Sequence, residues 1–313
     1  MKSKTGLARG RSALLMLLGL ALLGFRREDV EFRCYPMRDN RCAIGQAEAG
    51  AVLVSFKKAP VSLAGEFYEL PVVFKAYDPE RLLWGAFFPA GRNFSPGEYL
   101  LHIFAREDSG ESTEFILPVL VEERVYPVEE LTLPKEMVEL SPEAVERVNQ
   151  DNKILLAAMS EVSREILWQG AFVPPLEASL DGNFGTRRVV NGIAKSPHNG
   201  VDLPAFEGQE IRAPNYGKVA IVYDGYLTGK GLILDHGGGL YSVYFHLSEV
   251  KVKAGEKVSR GQVVALAGKS GAATGPHLHF ALRLAKNYVN PKTIVEASLW
   301  LEETVSRLAG KSQ

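Results

Sequence analysis

Residues 274–282 read Thr-Gly-Pro-His-Leu-His-Phe-Ala-Leu, and their alternation decides the class of fold. Successive side chains of a β-strand point to opposite faces, so His277 and His279 share one face while Leu278 and Phe280 share the other. Two imidazoles about 6.6 Å apart along a strand whose other face is apolar suit a site built on a rigid sheet. One of them can bind a metal while the other stands beside it, and the spacing does not decide which. The Thr274-Gly275-Pro276 turn sets the entry of the strand.

Outward from this stretch, the same region holds three more of the six histidines, among short β-type runs punctuated by glycine. His198 and Asp202 flank Asn-Gly-Val. In a straight strand they would lie about 13 Å apart, too far for one ion with bonds of about 2.0–2.2 Å. A bend at Asn199-Gly200, a strong turn signal, brings imidazole and carboxylate together. His246, in Tyr-Phe-His-Leu, alternates with Tyr244 and is expected on the same strand face, as a third donor or an acid/base group. His236 precedes Gly237, Gly238 and Gly239 and reads as a structural turn residue. Several histidines with one aspartate are the ligand chemistry of zinc. His102, alone in a strand-like run far from the others, reads as structural.

The segments FGTRR (184–188), PHNGVDL (197–203), APNYGKV (213–219), LDHGGGLYSVYFHL (234–247), VKAGEKVSRGQVVALAGKSG (252–271) and ATGPHLHFAL (273–282) occur in this order. Over about residues 168–292 they resemble the lysostaphin-type peptidoglycan metallopeptidases, the LytM family. The resemblance implies one Zn2+ held by His198, Asp202 and His279, with His246 and His277 as an uncoordinated catalytic pair. It further implies an antiparallel sheet with a groove, related to the duplicated hybrid motif, and peptidoglycan stem peptides as substrate. Three protein ligands leave a fourth tetrahedral position open, the mark of a catalytic rather than a structural zinc. A non-catalytic relative that binds the wall or activates other hydrolases is the alternative, and it predicts gaps in the ligand set. The 252–271 run alone resembles lipoyl and biotinyl carriers, but Lys269 lacks their flanking residues and the carrier reading leaves the histidines unexplained. Arg187 and Arg188 suit either a stem-peptide carboxylate or a surface ion pair.

The rest of the chain frames this region. At 313 residues it has room for two cores. Residues 1–27 carry six of the basic residues and no acid, and without them 30 basic residues face 37 acidic ones, a balance of −7. No basic block is left to neutralise phosphates, which excludes a nucleic-acid partner. The basic start and the apolar run from Ala13 to Phe25 read as an export signal or N-terminal anchor. That run is short for a membrane span, and it is the only expected membrane contact. The expected location is the periplasm or cell envelope. Cys34 and Cys42 are placed to close a small loop in an oxidising compartment. Residues 28–127 read as a β-sandwich resembling an immunoglobulin-type domain, with strands over 51–57, 66–76, 82–88, 97–105 and 114–122. This domain offers no chemistry and is expected to position the catalytic part or bind a regulatory partner. Residues 128–170 are expected to be a linker and a connecting helix over 142–168, started by Ser141-Pro142-Glu143. The metallopeptidase domain then occupies 171–292 and a C-terminal helix 293–313. The expected fold is mainly β.

Overall fold

The computed structural model describes residues 25–78, 80, 82–132 and 140–310. Of the expected export segment, 1–27, residues 1–24 lie outside these residues. The described chain is mainly β, with two α-helices, Pro142–Ala158 and Pro291–Ala309.

The first sandwich sheet joins strands Val30–Tyr35, Ala49–Phe56, Leu83–Pro89 and Lys75–Ala76. The second is built around Gly97–Arg106 and Ser112–Glu122. Alternate residues of both sheets, among them Val52, Val54 and Phe88 from one and Leu101, Ile103 and Val119 from the other, form a shared core. Not all pairing is antiparallel, because Arg41–Gly45 runs parallel to Ser112–Glu122. The strand expected over 66–76 is instead a hairpin. Tyr68 and Glu69 adopt positive φ (49° and 60°) and reverse the chain between Ser62–Phe67 and Leu70–Val73. Cys34 and Cys42 are disulfide-bonded.

The connecting segment departs from expectation in two ways. Val128–Leu131 is not a free linker but a strand, pairing in parallel with Arg187–Val190. The helix begins at Pro142, with Ser141 Oγ accepting from the Ala144 amide, but it stops at Ala158 rather than 168. Its end is fixed from outside. The Met159 carbonyl accepts from Arg283, and Ser160 Oγ donates to the Ala157 carbonyl. Beyond it the amides of Leu167 and Trp168 donate to the His236 carbonyl, and Ile166 pairs with Gly237. A side chain on Gly237 would collide with the Glu165 carbonyl. Sheet contacts therefore replace the helix where the apolar stripe continues.

The large C-terminal sheet is antiparallel throughout, in the order Val201–Pro204, His277–Leu284, Leu240–Val250, Gly229–Asp235, Gly217–Gly225, Lys257–Val258. Leu278 and Phe280 are buried, as the alternation requires. The closing helix is capped by Asn290, starts with Pro291 and buries Ile294, Ala297 and Leu301. It lies against the outer face of the sandwich, where Ala49, Ala51 and Gly85 permit close approach; a Cβ on Gly85 would come within 3.1 Å of Leu301. The Asn290 amide donates to the Ala47 carbonyl, and the Ala49 amide to Thr293 Oγ1. One apolar core runs from Ala49, Ala51 and Leu53 through Phe87, Trp168 and Phe172 into Leu232, Tyr244 and Phe280.

Candidate metal centre

Two neighbouring strands and one loop supply the donors. Asp202 and His279 are direct cross-strand partners in antiparallel register, the closest placement a sheet offers to two side chains. His198 lies on the preceding loop, fixed by two backbone bonds: the Gly185 amide donates to its carbonyl, and its amide to the Thr186 carbonyl. Gly200 lets this loop lie against the strand, since a Cβ there would sit 2.8 Å from His279 Nε2 and 2.5 Å from the Phe280 carbonyl oxygen.

The result is a tight triangle. His198 Nε2 lies 2.9 Å from His279 Nδ1 and 3.1 Å from Asp202 Oδ1, and His279 Nδ1 lies 3.0 Å from the same oxygen. A tetrahedral ion with bonds of about 2.0–2.2 Å holds its donors about 3.3 Å apart, so the triangle fits zinc closely. The proton inventory supports the fit. His198 Nδ1 lies 3.1 Å from the Asn183 carbonyl and donates to it, which leaves Nε2 with a lone pair facing the cluster. Burial opposes charge on Asp202, but the neighbouring His198 and His279 rings and the Asn183 amide outweigh it and hold the carboxyl far below the usual carboxylate range. Burial first, then the neighbouring His198 and His246, lowers His279 and favours neutral imidazole. Two imidazoles and a carboxylate converging on one point are the donor set of a cation site.

Asn183 went unread in the sequence, and it braces two of the three members, His198 and Asp202. Besides the bond to His198, its Nδ2 donates to Asp202 Oδ2 at 2.9 Å, and its Oδ1 accepts from the Asp202 amide at 3.0 Å. Outer-layer bonds of this kind orient metal ligands. Its only sequence signal was its place just before Phe184-Gly185.

His277 and His246 flank the triangle. Their ring centroids are 4.7 Å apart, and His277 Nε2 is 3.9 Å from Asp202 Oδ1. Each has its Nδ1 bonded at 2.9 Å to a backbone carbonyl, Gly275 for His277 and Ser270 for His246, so each neutral ring carries its lone pair on Nε2. Burial, then the adjacent His277, keeps the His246 pKa below its ordinary value.

His246 does not share a face with Tyr244, as strict alternation predicted. Tyr244 and Leu247 both enter the main core. Between them the register jumps from Leu232↔Tyr244 to Lys230↔Leu247, so Phe245 and His246 together oppose a single residue. His246 has φ 62° at this bulge. A bulge re-aims a side chain, and here it turns the imidazole out of the core into the cleft. Left-handed backbone at a non-glycine residue costs on the order of 1–3 kcal/mol, a strain that collects at functional sites.

The remaining candidates lie elsewhere. His236 is fully buried, its Nδ1 bonded to the Tyr216 carbonyl at 2.7 Å and its Nε2 to Ser242 Oγ at 2.8 Å. His102 faces Glu114 on the sandwich. Arg188 is paired with Glu129 at 3.0 Å. The cleft over the triangle measures about 560 Å³, and Asn152 and Leu155 of the Pro142–Ala158 helix form one wall.

A donor triangle on adjacent antiparallel strands, flanked by two further histidines, is an arrangement suited to a metal-dependent hydrolase. Residues 196–291 match the family model described as Peptidase family M23. An uncharacterized metalloprotease of Haemophilus influenzae is 40% identical over 113 residues, covering 36% of this chain and 24% of that protein. The peptidoglycan DD-endopeptidase ShyA of Vibrio cholerae is 36% identical over 113 residues, covering 36% of this chain and 26% of its own length. The chain thus spans about a quarter of these curated relatives. A crystal structure of a candidate M23 peptidase from Pseudomonas aeruginosa aligns over 79% of this chain and 94% of that one, with a TM-score of 0.61 and 25% identity.

Proposed function

We propose that the chain is an exported zinc endopeptidase that hydrolyses peptide cross-links of bacterial peptidoglycan. The observation that carries this reading is the convergence of His198 Nε2, Asp202 Oδ1 and His279 Nδ1 within 3.1 Å of one another, with His246 and His277 beside them. Zinc bound by these three residues would act as a Lewis acid and lower the pKa of water to about 7. His246 and His277 do the proton work. With Nδ1–H committed to the Ser270 carbonyl, His246 Nε2 can take a proton from the attacking water and return it to the leaving amine. His277, held by the Gly275 carbonyl, can in its protonated form donate from Nε2 to the developing oxyanion. The direct Asp202–His279 pairing and the Asn183 brace hold this arrangement in place.

Direct stem-peptide cross-links are the proposed bond, in keeping with a relative named as a peptidoglycan DD-endopeptidase. Export is supported by the basic and apolar start of the chain and by the bonded Cys34–Cys42 pair, which needs an oxidising compartment. Digestion of purified murein with product analysis tests the reaction. Release of uncross-linked muropeptides, abolished by chelation and restored by zinc, is expected; cleavage of glycine bridges alone overturns the proposed bond. Fractionation of expressing cells tests export, and recovery of the protein in the cytoplasm overturns it.

A further inference from the structure

The sandwich was expected to offer no chemistry, yet it supplies one wall of a second cavity. This space of about 790 Å³ lies at the seam of sandwich and peptidase domain, and it shares Pro197, Asn199 and Tyr288 with the cleft over the donor triangle. It therefore adjoins the cleft, and its volume suits a segment of peptide.

Its charge is one-sided. Arg92 from the sandwich, Arg187 from the 187–190 strand and Lys286 from the turn after the His277–Leu284 strand all line it. Among the described residues none of the three has a carboxylate within ion-pair distance, whereas Arg124, also in the wall, is satisfied by Glu48 at 2.7 Å. Glu123 is the one acid in the lining. Arg92 is held in place by stacking, its guanidinium 4.6 Å from the Tyr126 ring and 5.4 Å from that of Phe184. One of its terminal nitrogens, Nη2, is buried with no hydrogen-bond partner. Burial and the nearby Arg187 charge both work against the cation. Leaving a buried charged donor unpaired costs more than an ordinary lost hydrogen bond, so the arrangement calls for an anion. The planar fork of arginine matches a carboxylate.

We propose that Arg92, Arg187 and Lys286 bind a carboxylate of the peptide substrate, making the sandwich a contributor to substrate recognition. This rests on the peptidoglycan peptide reading above. Arg187 anchors the peptide from the peptidase side and Arg92 from the sandwich side, so the bound chain spans the seam. The second arginine of the Arg187-Arg188 pair, spent on Glu129, takes no part.

The test is equilibrium binding of the peptidoglycan stem tetrapeptide, with its carboxylates free or converted to carboxamides, to the zinc-loaded full chain. Cleavage of cross-linked muropeptides in the same two forms is measured alongside. The free acid is expected to bind about tenfold more tightly than the amide. Arg187→Gln and Arg92→Met should each erase most of that difference, and Arg188→Gln should keep it. In cleavage the change should appear in KM, with kcat preserved. Arg187 is exposed, so Arg187→Gln keeps the proposal testable even where Arg92→Met fails to fold. Equal binding of acid and amide by the wild type overturns the proposal, as does an acid preference that survives both variants. Cleavage of both forms with no preference overturns it while leaving the peptidase reading intact; acid-selective binding without cleavage overturns the peptidase reading instead.

Discussion

Two buried regions of the C-terminal sheet each contain histidine, and they differ in one respect. Around His236 both ring nitrogens are bonded, one to a carbonyl and one to a hydroxyl, and nothing is left over. Around His198 and His279 one nitrogen of each ring instead faces the other at 2.9 Å, with a carboxylate oxygen as third member. Burial of a histidine is therefore not what marks a site. What marks it is a set of ligand atoms that converge on one point.

That contrast can be broken most sharply at His279. His279→Ala removes one corner of the triangle, and zinc content measured on the purified protein should fall to background together with murein cleavage. A variant that retains one equivalent of zinc would deprive the triangle of its assigned role. His246→Ala should keep the metal and lower the cleavage rate by about 10²–10⁴-fold, the usual contribution of a general acid/base. Loss of metal in that variant would make His246 a ligand. Asn183→Ala leaves every ligand in place but removes the side-chain brace of Asp202, and zinc affinity read by competition with a chelator should drop about 10–100-fold.

The smallest effect belongs to His236 and concerns stability alone. Burial lowers its pKa to about 4, against an ordinary value of about 6.5. As pH falls from 6.5 toward 4 the unfolded chain takes up a proton that the folded chain refuses. Stability present above pH 6.5 is thus lost over that window, about 2 kcal/mol of it by pH 5. His236→Asn should be less stable than wild type at pH 7, yet lose less on transfer to pH 5 in urea titrations. An unchanged gap between the two proteins would show that His236 is not held neutral.

The sequence showed most where the logic is local. The His277-Leu278-His279-Phe280 alternation placed two imidazoles on one face and two core residues on the other, as found. The His198, Asp202 and His279 grouping came from motif resemblance, and the structure brings those three together. What escaped depends on distant partners. The bulge at His246 is visible only in its pairing with the neighbouring strand. The Tyr68-Glu69 turn holds positive φ without the glycine or asparagine that would have signalled it. The helix ends at Ala158 because Arg283, more than a hundred residues away, takes the Met159 carbonyl. Asn183 and Arg92 sit in unremarkable local sequence, and their roles arise only when loop, strand and sandwich meet.

The core that passes from Ala49 and Ala51 through Phe172 to Phe280 has a consequence for modularity. The segment matched by the family model, 196–291, ends where the closing helix begins. Cutting there would strip Ile294, Ala297 and Leu301 from the sheet and leave the sandwich face bare. Truncating even one such buried leucine costs about 2–5 kcal/mol. The closing helix therefore ties sandwich and sheet into one folding unit in this chain, which should melt in a single step in a calorimetric scan.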